Sequence, residues 1–256
     1  MRLARLLASA QRRVPDAKSG ALVLGYHLVG SGIDSPIDIS VDRFRYQLDV
    51  LERRFRLLPL AGALSAATTP SDGRAPAALT FDDAYANFAE IIWPILRERR
   101  IPAILYVPIG FIRGDAPAPI RGTQLRPCSW AQLRELAGQG LEIGSHGVDH
   151  LNLRRASSAN LTRELTESRE TLERELKVKV QSFCYPQSKY DSRSARAVAR
   201  YYDNAVVAGG QRYTGGDRYR VPRFPVRRDE PEFEAFVGSR LWLREAIASR
   251  VRQWRK

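Results

Sequence analysis

The chain has 256 residues, 44% of them hydrophobic and 27% charged, which suits one sizeable globular domain and excludes a disordered, collagen-like or repeat protein. Lys and Arg number 41 against 28 Asp and Glu, but residues 1–20 hold +4 and residues 240–256 hold +5 of the net +13, so the excess sits at the two ends and argues against a nucleic-acid binder. No apolar run reaches the length of a transmembrane helix, and Cys128 and Cys184 are too few for a disulfide framework or a four-thiolate metal site.

Leu3, Leu6, Leu7 and Ala10 fall at helical spacing among basic residues, so residues 1–20 read as a basic amphipathic segment or, alternatively, a frayed tail. Arg5 interrupts the apolar stretch and leaves it too short for a signal peptide. Residues 21–26 predict a strand. Ser40 reads as the N-cap of a helix with Phe44, Leu48 and Leu51 on one face. Residues 55–58 predict a short strand and residues 61–74 a loop rich in Thr, Pro, Ser and Gly. A strand at 77–81 is followed by a helix at 87–100, bent or interrupted near Pro94. A strand at 103–107 leads into a long Pro- and Gly-rich loop, 110–127. Ser129 caps a helix running to 138, and 141–145 is the next strand. Residues 158–176 form a long charged helix. Strand 180–184, helix 192–202, strands 205–208 and 221–224 and a helix from 231 to 243 complete the chain. Leu243, Ile247, Val251 and Trp254 give residues 231–256 a second basic amphipathic face.

Seven or eight such βα units predict an α/β fold with parallel strands, most simply a distorted (β/α) barrel. No internal repeat or linker divides it, so one domain is expected over residues 21–230, between the segments 1–20 and 231–256.

The polar residues that stand out share one location. His27 ends the first strand, Asp82 and Asp83 end the 77–81 strand, His146 follows the 141–145 strand, Tyr185 and Pro186 follow 180–184, and Arg223 lies on the last strand. The C-terminal ends of barrel strands converge on one mouth, which is where barrel enzymes place their chemistry. His146 and His150 would lie one turn apart if their segment were helical, and could share a metal. Asp83 would complete a His-His-Asp set with an open position, suited to Zn²⁺ or a similar ion in hydrolysis. Side chains adjacent on an extended strand point opposite ways, so Asp82 is free for a different task, that of general base. An Asp-Asp pair also suits an Asx turn or a helix N-cap, and the histidines also read as two unrelated loop residues.

Three segments together are more specific than any one. Thr80-Phe81-Asp82-Asp83, Ser145-His146-Gly147-Val148-Asp149-His150 and Phe183-Cys184-Tyr185-Pro186 resemble the successive motifs of the polysaccharide deacetylase family, the NodB-homology or carbohydrate esterase family 4 group. The early Gly25-Tyr26-His27 is similar to the branch that deacetylates poly-N-acetylglucosamine in biofilm matrices. The order of motifs spans residues 20–228.

This resemblance implies a metal-dependent hydrolase that removes N-acetyl groups from N-acetylhexosamine units of a bacterial glycan or a lipid-linked precursor. By position it implies Asp83, His146 and His150 as metal ligands, Asp82 as general base and a backbone N–H near Gln187 facing the oxyanion, with Tyr185, Pro186 and Gln187 as substrate-binding residues. The divalent ion expected is Zn²⁺, with Co²⁺ and Ni²⁺ as alternatives. No histidine follows His150, so the resemblance leaves His27 as the general acid; the other reading is a strand-end histidine satisfying the backbone. Cys184 stands where many members have Arg to orient the base, and Arg223 is the candidate substitute, unless it forms a surface salt bridge. Gly147 replaces a hydroxyl residue, which predicts weaker support behind the first metal histidine, and Ala84 stands where Gly is common. The rival readings are a hydrolase releasing another acyl group, such as formyl, and a non-enzymatic carbohydrate-binding relative. The basic ends and the lack of a leader predict a cytoplasmic protein resting on the anionic inner leaflet, with no nucleic-acid partner.

Overall fold

The computed structural model describes residues 20–68, 73–228 and 233–238. The predicted amphipathic segments at 1–20 and 231–256 therefore lie outside the described residues, except Gly20 and a short helix, Phe233–Gly238.

Among the described residues, ten strands and their α-helices follow in chain order, three strands first and the rest interspersed with helices. They are β1 (Leu22–Tyr26), β2 (Leu28–Val29), β3 (Asp38–Ile39), α1 (Val41–Arg54), β4 (Phe55–Leu57), α2 (Leu60–Ala66), β5 (Ala75–Phe81), α3 (Trp93–Glu98), β6 (Ala103–Val107), α4 (Ile109–Arg113), α5 (Trp130–Gly138), β7 (Glu142–Ser145), α6 (Ser158–Leu176), β8 (Ser182–Cys184), α7 (Ser192–Val198), β9 (Asn204–Ala208), β10 (Val221–Pro225) and α8 (Phe233–Gly238). The main sheet runs β1-β10-β9-β8-β7-β6-β5, all parallel, and closes through β1 against β5. It is a closed seven-stranded barrel, with β4 added along the first half of β5. β2 and β3 form a separate parallel pair.

Strand parity sorts the core. Val23, Ala78, Ile104, Tyr106, Cys184, Val206 and Val221 form one buried cluster, and their neighbours Leu22, Leu24, Leu79, Leu105, Phe183 and Phe224 belong to a larger cluster that includes the helices. Period-two alternation thus sends one set to the barrel interior and the other to the helical layer. By the same parity Thr80 and Arg223 are interior residues. The helical layer is anchored by α1, whose Phe44, Leu48 and Leu51 are fully buried. Each such side chain contributes roughly 1.5–3 kcal/mol. Ser40 caps α1 by accepting from the Arg43 N–H, and Ser129 and Gln132 form a reciprocal capping box at α5.

Three local expectations are corrected. The 61–74 loop begins with α2, whose Leu60 and Ala63 join the interior cluster beside Tyr213; the Ala-rich start outweighs the Thr, Pro and Gly that follow. The first residues of the expected 110–127 loop belong instead to α4, Ile109–Arg113, which ends at Gly114 in the left-handed conformation (φ 81). The 87–100 helix is a π-helical turn, Phe88–Ile92, that runs directly into α3, with Pro94, which has no N–H to donate, at the junction of the two hydrogen-bond patterns. Among the described residues no helix is long and apolar enough to cross a membrane.

Candidate active site

At the C-terminal mouth of the barrel lies a cleft of about 560 Å³, lined among others by His27, Asp82, Asp83, His146, His150 and Arg223. Four strands, β1, β5, β7 and β10, deliver these six residues, as convergence in a parallel barrel requires.

Asp82 is 4% exposed and Arg223 is 5% exposed. Arg223 donates from Nη1 to Asp82 Oδ1 and from Nη2 to Asp82 Oδ2, each at 2.7 Å. Its Nη1 also donates to Thr80 Oγ1 at 2.8 Å, and Thr80 in turn donates to the Leu24 carbonyl at 2.7 Å. Arg223 Nη2 lies 3.1 Å from Cys184 Sγ. Burial alone would raise the Asp82 carboxyl, but the guanidinium's charge and its paired hydrogen bonds outweigh that and hold it well below the usual carboxylate range. Asp82 is therefore a fixed anion. The surface-salt-bridge reading of Arg223 does not apply.

Asp83 is held differently. Its Oδ1 lies 3.5 Å from His146 Nε2 and 3.7 Å from His150 Nε2, and that buried oxygen has no hydrogen-bond partner. His146 Nδ1 is 2.7 Å from the Cys184 carbonyl. A carbonyl only accepts, so Nδ1 carries the proton and Nε2 presents its lone pair. Burial lowers His146 to about 4 and His150 to about 3, keeping both rings neutral. Burial, then the neighbouring Asp82 charge, pushes Asp83 up. Two lone pairs and an orphaned carboxylate oxygen converge without a donor, which is costly unless a cation sits among them. Asp83, His146 and His150 thus fit a divalent metal. A second group, Asp82, His146 and Cys184, is equally compact, but Arg223 already occupies Asp82 and Cys184.

The backbone explains how this is built, and it departs from expectation twice. Residues 146–150 form an irregular loop, not a helix; His150 adopts φ 53, and the two imidazole centroids come within 4.7 Å. Asp82 and Asp83 do not point opposite ways: Asp83 leaves the extended conformation with φ 75, and both carboxylates line the cleft. Ala84 follows at φ 50, which accounts for the glycine common in the resembling motif. Gln187 and Ser188 are also left-handed, at φ 53 and 54. Such strain, about 1–2 kcal/mol per residue, persists where packing enforces it and gathers at functional sites.

Behind the histidine loop stands a residue the sequence reading did not single out. Glu164, fully buried on α6, accepts from the Val148 N–H at 2.8 Å and from the Asp149 N–H at 3.1 Å. A Cβ on Gly147, which has φ 81, would come within 2.4 Å of Glu164 Oε2. Support behind the histidines is thus not weakened by Gly147: a carboxylate supplies it, and glycine makes room for that carboxylate. Its only sequence signal is an acidic residue at a core-facing helical position of α6.

His27 stands across Asp82, with Nε2 3.7 Å from Asp82 Oδ2 and its side chain 25% exposed. Burial lowers its pKa, and Asp82 partly offsets this. Tyr185 and Gln187 line the cleft; Pro186 does not. Tyr185 is 1% exposed and donates to the Tyr219 carbonyl, so it supports the wall.

A family model described as polysaccharide deacetylase matches residues 70–206, more than half of the chain. The chain belongs to the polysaccharide deacetylase family. That match takes in both Asp82-Asp83 and the His146–His150 loop, and it ends before Arg223. A curated relative, the putative polysaccharide deacetylase YxkH of Bacillus subtilis (strain 168), is 23% identical over 122 residues, which are 48% of this chain and 40% of that protein; the chain thus spans less than half of that relative's length. Two solved structures share the fold. The Streptococcus pyogenes deacetylase PplD, in complex with acetate, has a TM-score of 0.70 at 21% identity, over 83% of this chain and 94% of that one. IcaB from Ammonifex degensii has a TM-score of 0.71 at 23% identity, over 86% and 98%.

Proposed function

We propose that residues 21–230 of this polysaccharide deacetylase family member form a metal-dependent hydrolase that removes N-acetyl groups from N-acetylhexosamine units. The observation that carries the reading is the split between two adjacent carboxylates: Asp82 is locked as an anion by Arg223, while Asp83 faces two imidazole lone pairs. Titratable neighbours pushed apart in this way mark acid–base assignments. Asp83, His146 and His150 would hold the ion, Zn²⁺ by donor type, with Co²⁺ and Ni²⁺ also suited. When bound, such an ion supplies Lewis-acid polarisation of the acetamide carbonyl and acidifies water.

The chain's own groups carry the proton traffic. Asp82 accepts a proton from the attacking water, and Arg223 keeps that carboxylate ionised and aimed. His27, on the open side of Asp82, delivers a proton to the departing sugar nitrogen. The Gln187 N–H, on the strained turn after β8, faces the developing oxyanion. The family membership supports an acetylated saccharide as substrate, and the likeness to a deacetylase in complex with acetate supports acetate as the group released; whether the saccharide is polymeric or lipid-linked is what the product analysis distinguishes. The basic stretches at 1–20 and 240–256 support a seat on an anionic cytoplasmic leaflet, which sedimentation with anionic vesicles tests.

The decisive experiment pairs metal quantification with product analysis on N-acetylated glycans and lipid-linked sugars. Stoichiometric metal and release of acetate are expected. Asp83→Asn should lose both, and Asp82→Asn should keep the metal and lose release. Formate as the product, or full turnover in Asp82→Asn, overturns the reading.

A further inference from the structure

The cleft carries more positive charge than the proposed hydrolysis requires, and the excess is localised. Its charged lining consists of two carboxylates, Asp82 and Asp83, against three cations, Arg223, Lys189 and Arg227. Arg223 is consumed by Asp82. Asp83 is committed to the two histidines and the cation they fit. Lys189 and Arg227 remain, and among the described residues neither has a carboxylate partner.

Their placement follows from strand order. Lys189 follows the 3-10 turn Pro186–Ser188 after β8, and Arg227 lies two residues beyond β10. The strand between them is β9, and the lining there is Ala208, Gly209 and Gly210. A Cβ on Gly209 would lie 2.5 Å from Pro222 Cβ, and Gly210 has φ 63. The segment between the two cations therefore presents backbone and no side chain larger than a methyl to the cleft. Arg227 and His27 line the same cleft, so this wall adjoins the reaction centre.

We propose that Lys189 and Arg227 form a phosphate subsite, so that the substrate is an N-acetylhexosamine bearing a phosphate ester next to the sugar that is deacetylated. This rests on the deacetylase reading for the acetamide but not for the phosphate. A guanidinium fork and an ammonium that line one cleft suit the several oxygens of a phosphate. A cleft whose unneutralised charges have one sign concentrates ligands of the opposite sign.

Three probes test it: an N-acetylhexosamine 1-phosphate, its alkyl phosphodiester and its neutral methyl glycoside. Calorimetric binding to the full, metal-loaded chain is measured alongside acetate release. Either phosphorylated probe should bind about ten-fold or more tightly than the neutral one, the size of one charge-assisted contact. The double variant Lys189→Gln/Arg227→Gln should bring that ratio close to one, and the charge-keeping Lys189→Arg/Arg227→Lys should retain most of it. A better monoester points to a free sugar phosphate and a better diester to a lipid- or polymer-linked one. Equal binding of all three probes overturns the subsite, as does a preference that survives the double Gln variant, since the phosphate would then sit on the metal. Phosphate preference without acetate release leaves the subsite standing and overturns the deacetylase reading; acetate release without preference does the reverse.

Discussion

Replacing Arg223 with Gln removes one partner of a buried ion pair and leaves the other behind. Asp82 is 4% exposed, so water cannot take over the guanidinium's role. Two 2.7 Å charge-assisted hydrogen bonds disappear, together with the bond to Thr80 and the contact to Cys184 Sγ. Breaking a buried pair from one side costs about 3–5 kcal/mol. The cost falls once Asp82 takes up a proton, because burial, now unopposed, raises its pKa. In the wild type the folded pKa lies below the unfolded value of 3.8. The pair's stabilisation is therefore fully present above that value and is lost as pH falls through the folded pKa. In Arg223→Gln the sign reverses, and stability should fall as pH rises from acid towards neutrality. A neutral Asp82 cannot act as base, so kcat/KM at neutral pH should drop about 10²–10⁴-fold, with the acidic limb of its profile moved upward. Urea unfolding at pH 5 and pH 8, with the pH profile of acetate release, measures both. Asp82→Asn added to Arg223→Gln should recover most of the lost stability and none of the activity. Single-variant stability within about 1 kcal/mol of wild type, with an unmoved acidic limb, would refute the argument.

Glu164→Gln should weaken metal binding about 10–100-fold, as measured against a competing chelator, because the Val148 and Asp149 N–H groups lose the carboxylate that holds the histidine loop. Gly147→Ala should lower stability by about 1–3 kcal/mol in thermal unfolding, since the new Cβ meets Glu164 and the residue is left-handed. His27→Ala should reduce kcat about 10²–10⁴-fold while metal content stays stoichiometric, and near-normal turnover would assign the acid elsewhere. Glu142, pushed up to about 7 by burial, binds its proton more tightly folded than unfolded. Stability should therefore decline as pH rises from about 4.5 to about 7. Glu142→Gln should abolish that decline, worth up to about 3 kcal/mol, and raise Tm at pH 8 but not at pH 4.

Local patterns carried much of the fold. The 158–176 helix and the 103–107 strand have the observed bounds, and Ser40, Ser129 and the apolar face of α1 set helix starts through contacts within a few residues. Such signals depend on periodicity and capping, which a single segment holds by itself. The strand-end placement of His27, Asp82, Asp83 and His146, and that of Arg223 on the last strand, were legible for the same reason. The chain alone could not supply the left-handed turn at Asp83, the irregular loop that brings His146 and His150 together, or the carboxylate of Glu164 behind it. It could offer Arg223 only as a candidate partner for Asp82. The two stand 141 residues apart and meet because β1 pairs with both β5 and β10 as the barrel closes. Contacts of that kind follow from closure and burial, in which every strand takes part, so they become definite only once the whole sheet is assembled.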